Sequence, residues 1–161
     1  MRKSTIAAAA LLLLTAAPAL ADWGPSRWGM TPEQVVAAVP NAAAVVRNGD
    51  GKDVFGHHQL ATAPMKDGAF DVQGNFYFSP DKRQLAFIQL VPAVARCPDY
   101  MAAQLGRNGA GTREDKNLDR LQMISIRWTD PGSRDQLRFV GVTATVNGAW
   151  LYCHLQVDKP A

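Results

Sequence analysis

This chain is poor in reactive groups. Its 161 residues hold two cysteines, three histidines and three tyrosines. None of the short motifs that carry chemistry by themselves is present. No G-x-S-x-G sets a serine on a strand-to-helix turn, and no glycine-rich loop between a strand and a helix offers a phosphate cradle. No C-x-x-C supplies a redox pair. These absences set the expectation of a non-enzymatic protein with no cofactor and no metal. Long apolar runs are missing as well. Beyond Ala21 nothing approaches the roughly 20 apolar residues that a membrane-spanning helix needs, so no membrane insertion is expected after processing.

The segment 1–21 reads as a cleaved secretory signal. Arg2 and Lys3 form a basic start, Ile6 to Leu14 is wholly apolar, and Ala19-Leu20-Ala21 puts small residues where signal peptidase reads. Cleavage between Ala21 and Asp22 leaves 22–161 as the product, long enough for one domain. No cysteine lies near that junction, so the expected product is soluble, periplasmic and not lipidated. Arg2 and Lys3 leave with the leader, so 15 basic residues face 14 acidic ones and the net charge falls from +3 to +1. A nearly neutral product gives no electrostatic case for nucleic acid as a partner.

Export changes the reading of the cysteines. In an oxidising compartment Cys97 and Cys153 are expected to pair, closing a long loop between the middle and the end of the chain. By the chain-entropy argument such a bridge stabilises by about 4 kcal/mol.

Along the chain, turn signals separate short periodic segments. Thr31 is a good N-cap, Pro32 suits the first helical position, and Gln34 completes a capping box. Pro40-Asn41 ends that helix. Weak strands are expected over 42–47 and 54–60, the latter containing the adjacent His57 and His58. The clearest strand is 70–78, where Phe70, Val72, Phe76 and Phe78 alternate with polar residues and Tyr77. It turns at Ser79-Pro80-Asp81-Lys82 into a strand over 85–91. Cys97-Pro98-Asp99 starts a second helix with Met101 and Leu105 on one face, ended by Gly106 or Gly109. A mixed-charge loop over 107–117 precedes strands at 121–128, 137–146 and 149–157. The apolar parity of 137–146 switches at Gly141, which predicts a bulge there. Asn147-Gly148 is a strong hairpin turn.

The two halves align without a gap at an offset of 66. Thr31-Pro32-Glu33 falls on Cys97-Pro98-Asp99, the turn Pro80-Asp81-Lys82 on Val146-Asn147-Gly148, and Val91 on Val157. The expected fold is therefore α+β: a two-layer structure with short helices on one face of an antiparallel meander sheet. It is built from two tandem helix-meander repeats, 22–96 and 97–161, sharing one core.

The stretch Trp28-Gly29-Met30-Thr31-Pro32-Glu33-Gln34-Val35 resembles the opening of small bacterial envelope proteins with this helix-plus-meander unit. The tandem form is similar to the beta-lactamase inhibitor protein type. The single form is similar to the small lipoprotein of the outer-membrane barrel assembly machinery. The chain departs from the lipoprotein in lacking a lipidated cysteine. It departs from the inhibitor type in having only two cysteines and shorter helical segments. The resemblance implies a non-catalytic protein that binds another envelope protein across a sheet face.

Alternation on the last strand supplies a candidate surface. Leu151, Cys153, Leu155 and Val157 share one parity, while Trp150, Tyr152, His154 and Gln156 share the other. Trp150, Tyr152 and His154 form either an exposed patch for a partner or a second small core under the chain around 54–64. Trp23 and Trp28 are expected to pin the N-terminal lead-in to the body. The leading functional expectation is a binding or inhibitory module. The alternative is a small exported hydrolase or metal-dependent enzyme that gathers His57, His58 and His154 with a carboxylate. His57 and His58, adjacent on a strand, would point to opposite faces. The segment Asn48-Gly49-Asp50-Gly51-Lys52-Asp53 is not a calcium loop, because Lys52 occupies a ligand position.

Overall fold

A computed structural model describes residues 23–46 and 53–160. The leader, the Ala21/Asp22 junction and the turn at 48–51 lie outside the described residues. Helix α1 (Pro32–Ala38) begins as its sequence dictates. The Thr31 hydroxyl accepts from the Gln34 amide, and the Gln34 side chain accepts from the Thr31 amide at 2.9 Å. It buries Pro32 and Val35.

The strands among the described residues are β1 (Ala43–Ala44), β2 (Asp53–Val54), β3 (His57–Asp67), β4 (Phe70–Phe78), β5 (Leu85–Pro92), β6 (Thr112–Leu118), β7 (Leu121–Thr129), β8 (Gln136–Ala144) and β9 (Trp150–Asp158). Helix α2 (Cys97–Asn108) separates β5 from β6, after one 3-10 turn at Val94–Arg96. All their pairings are antiparallel. The order is β1-β3-β4-β5-β9-β8-β7-β6, with β2 beside β3. The α+β expectation holds as one antiparallel sheet with two short helices against it.

The core lies under the helices. Phe76, Phe78, Ile88, Leu90, Phe139 and Leu155 point there from the central strands and are fully buried. Helix α2 turns Cys97, Tyr100 and Gln104 inward, and Met101 and Leu105 sit only at the margin. Gly109, at φ +80°, ends it. Cys97 is joined to Cys153 on β9, with the Cα atoms 5.8 Å apart, so the expected bridge staples α2 to the sheet. At the end of β3, buried Asp67 accepts from Tyr100 Oη at 2.6 Å, Gln104 Nε2 at 2.7 Å and Arg107 Nη1 at 2.6 Å. Burial and the Asp67 charge push the Tyr100 hydroxyl far above its ordinary range. The lead-in is pinned by Trp28 Nε1, which donates to Asp135 Oδ1 at 3.0 Å.

Three local expectations are corrected. Strand β3 runs on through Pro64 to Asp67. Among the described residues its outer edge is paired at His57–His58 and over Leu60–Thr62 but not at Pro64, so a residue without an N–H is tolerated there. Most of the mixed-charge segment expected as a loop is β6, an edge strand exposed along its whole length. Its Arg113–Asp115 and Glu114–Lys116 pairs suit an edge that must not recruit another strand.

Gly141 is not a bulge. It stays in register with Ile124 and Cys153, and odd-numbered residues of β8 face the core throughout. A Cβ there would lie 2.6 Å from the Trp150 ring and 3.1 Å from Phe139. The glycine is required for the close approach of the tryptophan.

Candidate functional site

The irregularity assigned to Gly141 falls instead opposite Leu151. Val142 pairs with Tyr152, but Thr143 pairs with Trp150, leaving Leu151 as the extra residue. This inverts the parity of everything before it on β9. Trp150 turns to the helix-covered face and meets the edge of the Phe139 ring at 6.3 Å. Leu151, expected in the core, is 48 % exposed. The expected patch is therefore divided: Tyr152 and His154 share the uncovered face, their rings 5.3 Å apart, and Trp150 lies behind the sheet.

The uncovered face is curved and forms a groove of about 620 Å³. Cross-strand register arranges its floor in three rows. Arg127, Arg138, Gln156 and Gln89 form the first, Ser125, Val140 and His154 the second, and Met123 and Tyr152 the third, both paired with Val142 of β8. From the far side Val54 and Phe55 reach over, with the Phe55 ring 5.2 Å from the Arg138 guanidinium. Tyr77 forms another wall, stacked on Phe87 at 4.5 Å. Burial next to the Tyr152 hydroxyl pushes the Tyr77 phenol up to about 12. The chain around 54–64 thus contributes a rim at Val54–Phe55, while His57–Pro64 belongs to the sheet itself.

The floor is polar and fixed in place. Gln156 Oε1 accepts from Arg138 Nη2 at 3.0 Å, and Gln156 Nε2 donates to both carboxylate oxygens of Asp158 at 2.9 Å. Gln89 approaches Gln156 at 3.5 Å. His154 is 7 % exposed, and neither ring nitrogen has a hydrogen-bond partner. Desolvation, reinforced by the Arg138 charge, depresses its pKa to about 4, so it is neutral at ordinary pH. Desolvation also raises Asp158, against the Gln156 hydrogen bond.

The other two histidines are not brought to His154. His57 lies on the open face against the edge of Phe87, 5.4 Å away. Phe87 pairs with Asp158, four residues along β9 from His154; that interval is about 13 Å of strand. His58 pairs with Phe78 on the opposite parity. Among the described residues no cluster of three or more histidine, cysteine, aspartate or glutamate side chains is arranged to hold a metal ion. No helix among them is long and apolar enough to cross a membrane.

No known family, curated protein or solved structure matches the chain. The functional reading therefore rests on this geometry and on the Trp28 to Val35 motif.

Arg138, Gln89 and Ser125 were not singled out from sequence. The available signal was the even-numbered register of β8 against β9, which needed the bulge at Leu151 to be placed correctly. Asp67 and its three donors were missed because they converge from α2 and the end of β3.

Proposed function

We propose that this protein is an exported, non-lipidated periplasmic binding or inhibitory module that holds a projecting segment of a partner envelope protein on its open sheet face, without catalysis. The observation that carries this reading is the asymmetry of the sheet. One face is packed by helices and apolar side chains, and the other is left as a curved groove with an ordered polar floor. The leader and the Cys97–Cys153 bridge support export into an oxidising compartment. The separation of His57 and His58 from His154, and the lack of any partner at His154, weigh against an acid-base or metal-dependent reaction. Internal duplication belongs to the same proposal. It is supported by β4 (Phe70–Phe78) and β8 (Gln136–Ala144), whose first and last residues correspond at the offset that aligns Thr31-Pro32 with Cys97-Pro98.

Site-directed photo-crosslinking in the native envelope tests this. A benzophenone-bearing residue installed at Tyr152 is expected to give one discrete protein adduct, and the same group at exposed Ala102 on α2 none. No adduct from position 152, or the same adducts from both positions, would overturn the reading.

A further inference from the structure

We infer that the groove on the open face binds a small amphipathic organic anion, with its acid group at the Arg138 end and its flat apolar body along Val140, Met123 and Tyr152. This rests on reading the open face as a binding surface, but not on the occupant being a protein. A volume of about 620 Å³ lies within the range of small-molecule sites.

The rows of the floor differ in polarity: the paired arginines stand at one end, and the row at the other is apolar apart from Lys116 of β6 beside Met123. Arg127 and Arg138 stand side by side, and Met123 and Tyr152, both paired with Val142, form the row four residues away. That separation is about 13 Å, the length of a two-ring aromatic acid or a medium-chain fatty acid. Beyond the apolar row, Leu118 and Leu121 are exposed, so the tail end opens outward, while at the head end the exposed Phe55 ring stands over Arg138.

Charge sets the sign of the head group. Lys116, Arg127 and Arg138 line the groove against one carboxylate, Glu114. Glu114 is already engaged, by Lys116 at 3.0 Å and Arg127 at 3.7 Å. Arg138 has no carboxylate within ion-pair distance among the described residues. Its Nη2 meets a neutral amide oxygen, its plane faces the Phe55 ring, and its buried Nε has no partner. The Asp158 carboxylate acts on it only at longer range, across Gln156, so the guanidinium keeps its capacity for a forked pair with a carboxylate or sulfonate. In the middle row, His154 is more than nine-tenths buried and has two unpartnered nitrogens. A neutral imidazole presents one donor and one acceptor, and a buried polar group without a partner is costly to leave so.

The test compares two fluorescent probes of one shape: 1-anilinonaphthalene-8-sulfonate and uncharged N-phenyl-1-naphthylamine. The folded oxidised protein is expected to bind the sulfonate at one site, at least about tenfold more tightly than the neutral amine. Arg138→Gln should cost the sulfonate about tenfold, the size of one charged hydrogen bond, and leave the amine unchanged. Tyr152→Ser should weaken both probes. If Arg138→Gln does not fold, as judged by thermal unfolding, Arg127→Gln reads the same head contact from an exposed side chain and should cost several-fold. Equal binding of the two probes, indifference of the sulfonate to the arginine substitutions, or no saturable binding would each overturn the inference. Failure of the probes with a persisting adduct from position 152 would remove the anion site and leave the binding face standing.

Discussion

Trp150 and Tyr152 stand two residues apart on β9, yet they serve opposite sides of one sheet. Behind the sheet, Trp150 fills the space over Gly141 and joins an apolar layer closed by α1, α2 and the disulfide. In front, Tyr152 borders a groove whose floor of Gln89, Ser125, His154 and Gln156 is buried by neighbouring side chains, with no covering layer of helices among the described residues. Burial alone therefore does not mark the core of this protein. On the covered face it accompanies apolar packing, which stabilises. On the open face it desolvates polar groups, which is costly unless partners are supplied. The covered face thus supplies stability, and the open face is the one proposed for recognition.

The strongest way to break that assignment is through the staple on the covered face. Replacing both cysteines, Cys97→Ser with Cys153→Ser, should cost about 4 kcal/mol in urea unfolding under oxidising conditions. Reductant should bring the wild type down by a similar amount. A loss under about 1 kcal/mol would show that the covered face does not depend on the bridge.

Next, the two aromatic residues should part company. Trp150→Ala is expected to cost about 2 kcal/mol, below the range for a fully buried ring because Trp150 is partly buried, and Tyr152→Ala less than about 1 kcal/mol. Chemical denaturation of the two variants side by side checks this, and equal losses would erase the distinction between the faces.

The smallest effect belongs to His154. Its folded pKa is held down to about 4 from an ordinary 6.5. Between those values the unfolded chain binds a proton that the folded chain refuses. Stability is then complete above about pH 6.5 and falls as the pH drops toward 4. His154→Phe removes this dependence. From about pH 8 to about pH 5 its stability should fall by about 2 kcal/mol less than that of the wild type. Parallel pH profiles would mean that the imidazole is charged in the folded protein.

Much of this architecture was legible in the residues. The capping box at Thr31, the alternation of 70–78, the second helix start at Cys97 and the pairing of the cysteines all follow from local chemistry, and all are present. The edge strand β6 was not legible, because its backbone pairs with β7 while no apolar face is needed to hold it. Nor was the far end of β3, where Ala, Pro and Lys carry little strand preference. The candidate surface was half legible. Parity counting identified Tyr152 and His154 but failed at Trp150, because one inserted residue resets the count and nothing in Trp150-Leu151-Tyr152 announces it. The groove itself depends on curvature across strands distant in sequence.

The place of β9 carries a consequence in time. It is the last strand of the chain, yet it lies in the middle of the sheet, between β5 and β8. It also brings Cys153 to a partner that lies far back along the chain, at the start of α2. A chain appearing from its N-terminus therefore has two incomplete meanders, each with an unpaired inner edge, and a waiting thiol until β9 emerges. Closure of the sheet must wait for β9, so neither half can complete its core before the other is in place.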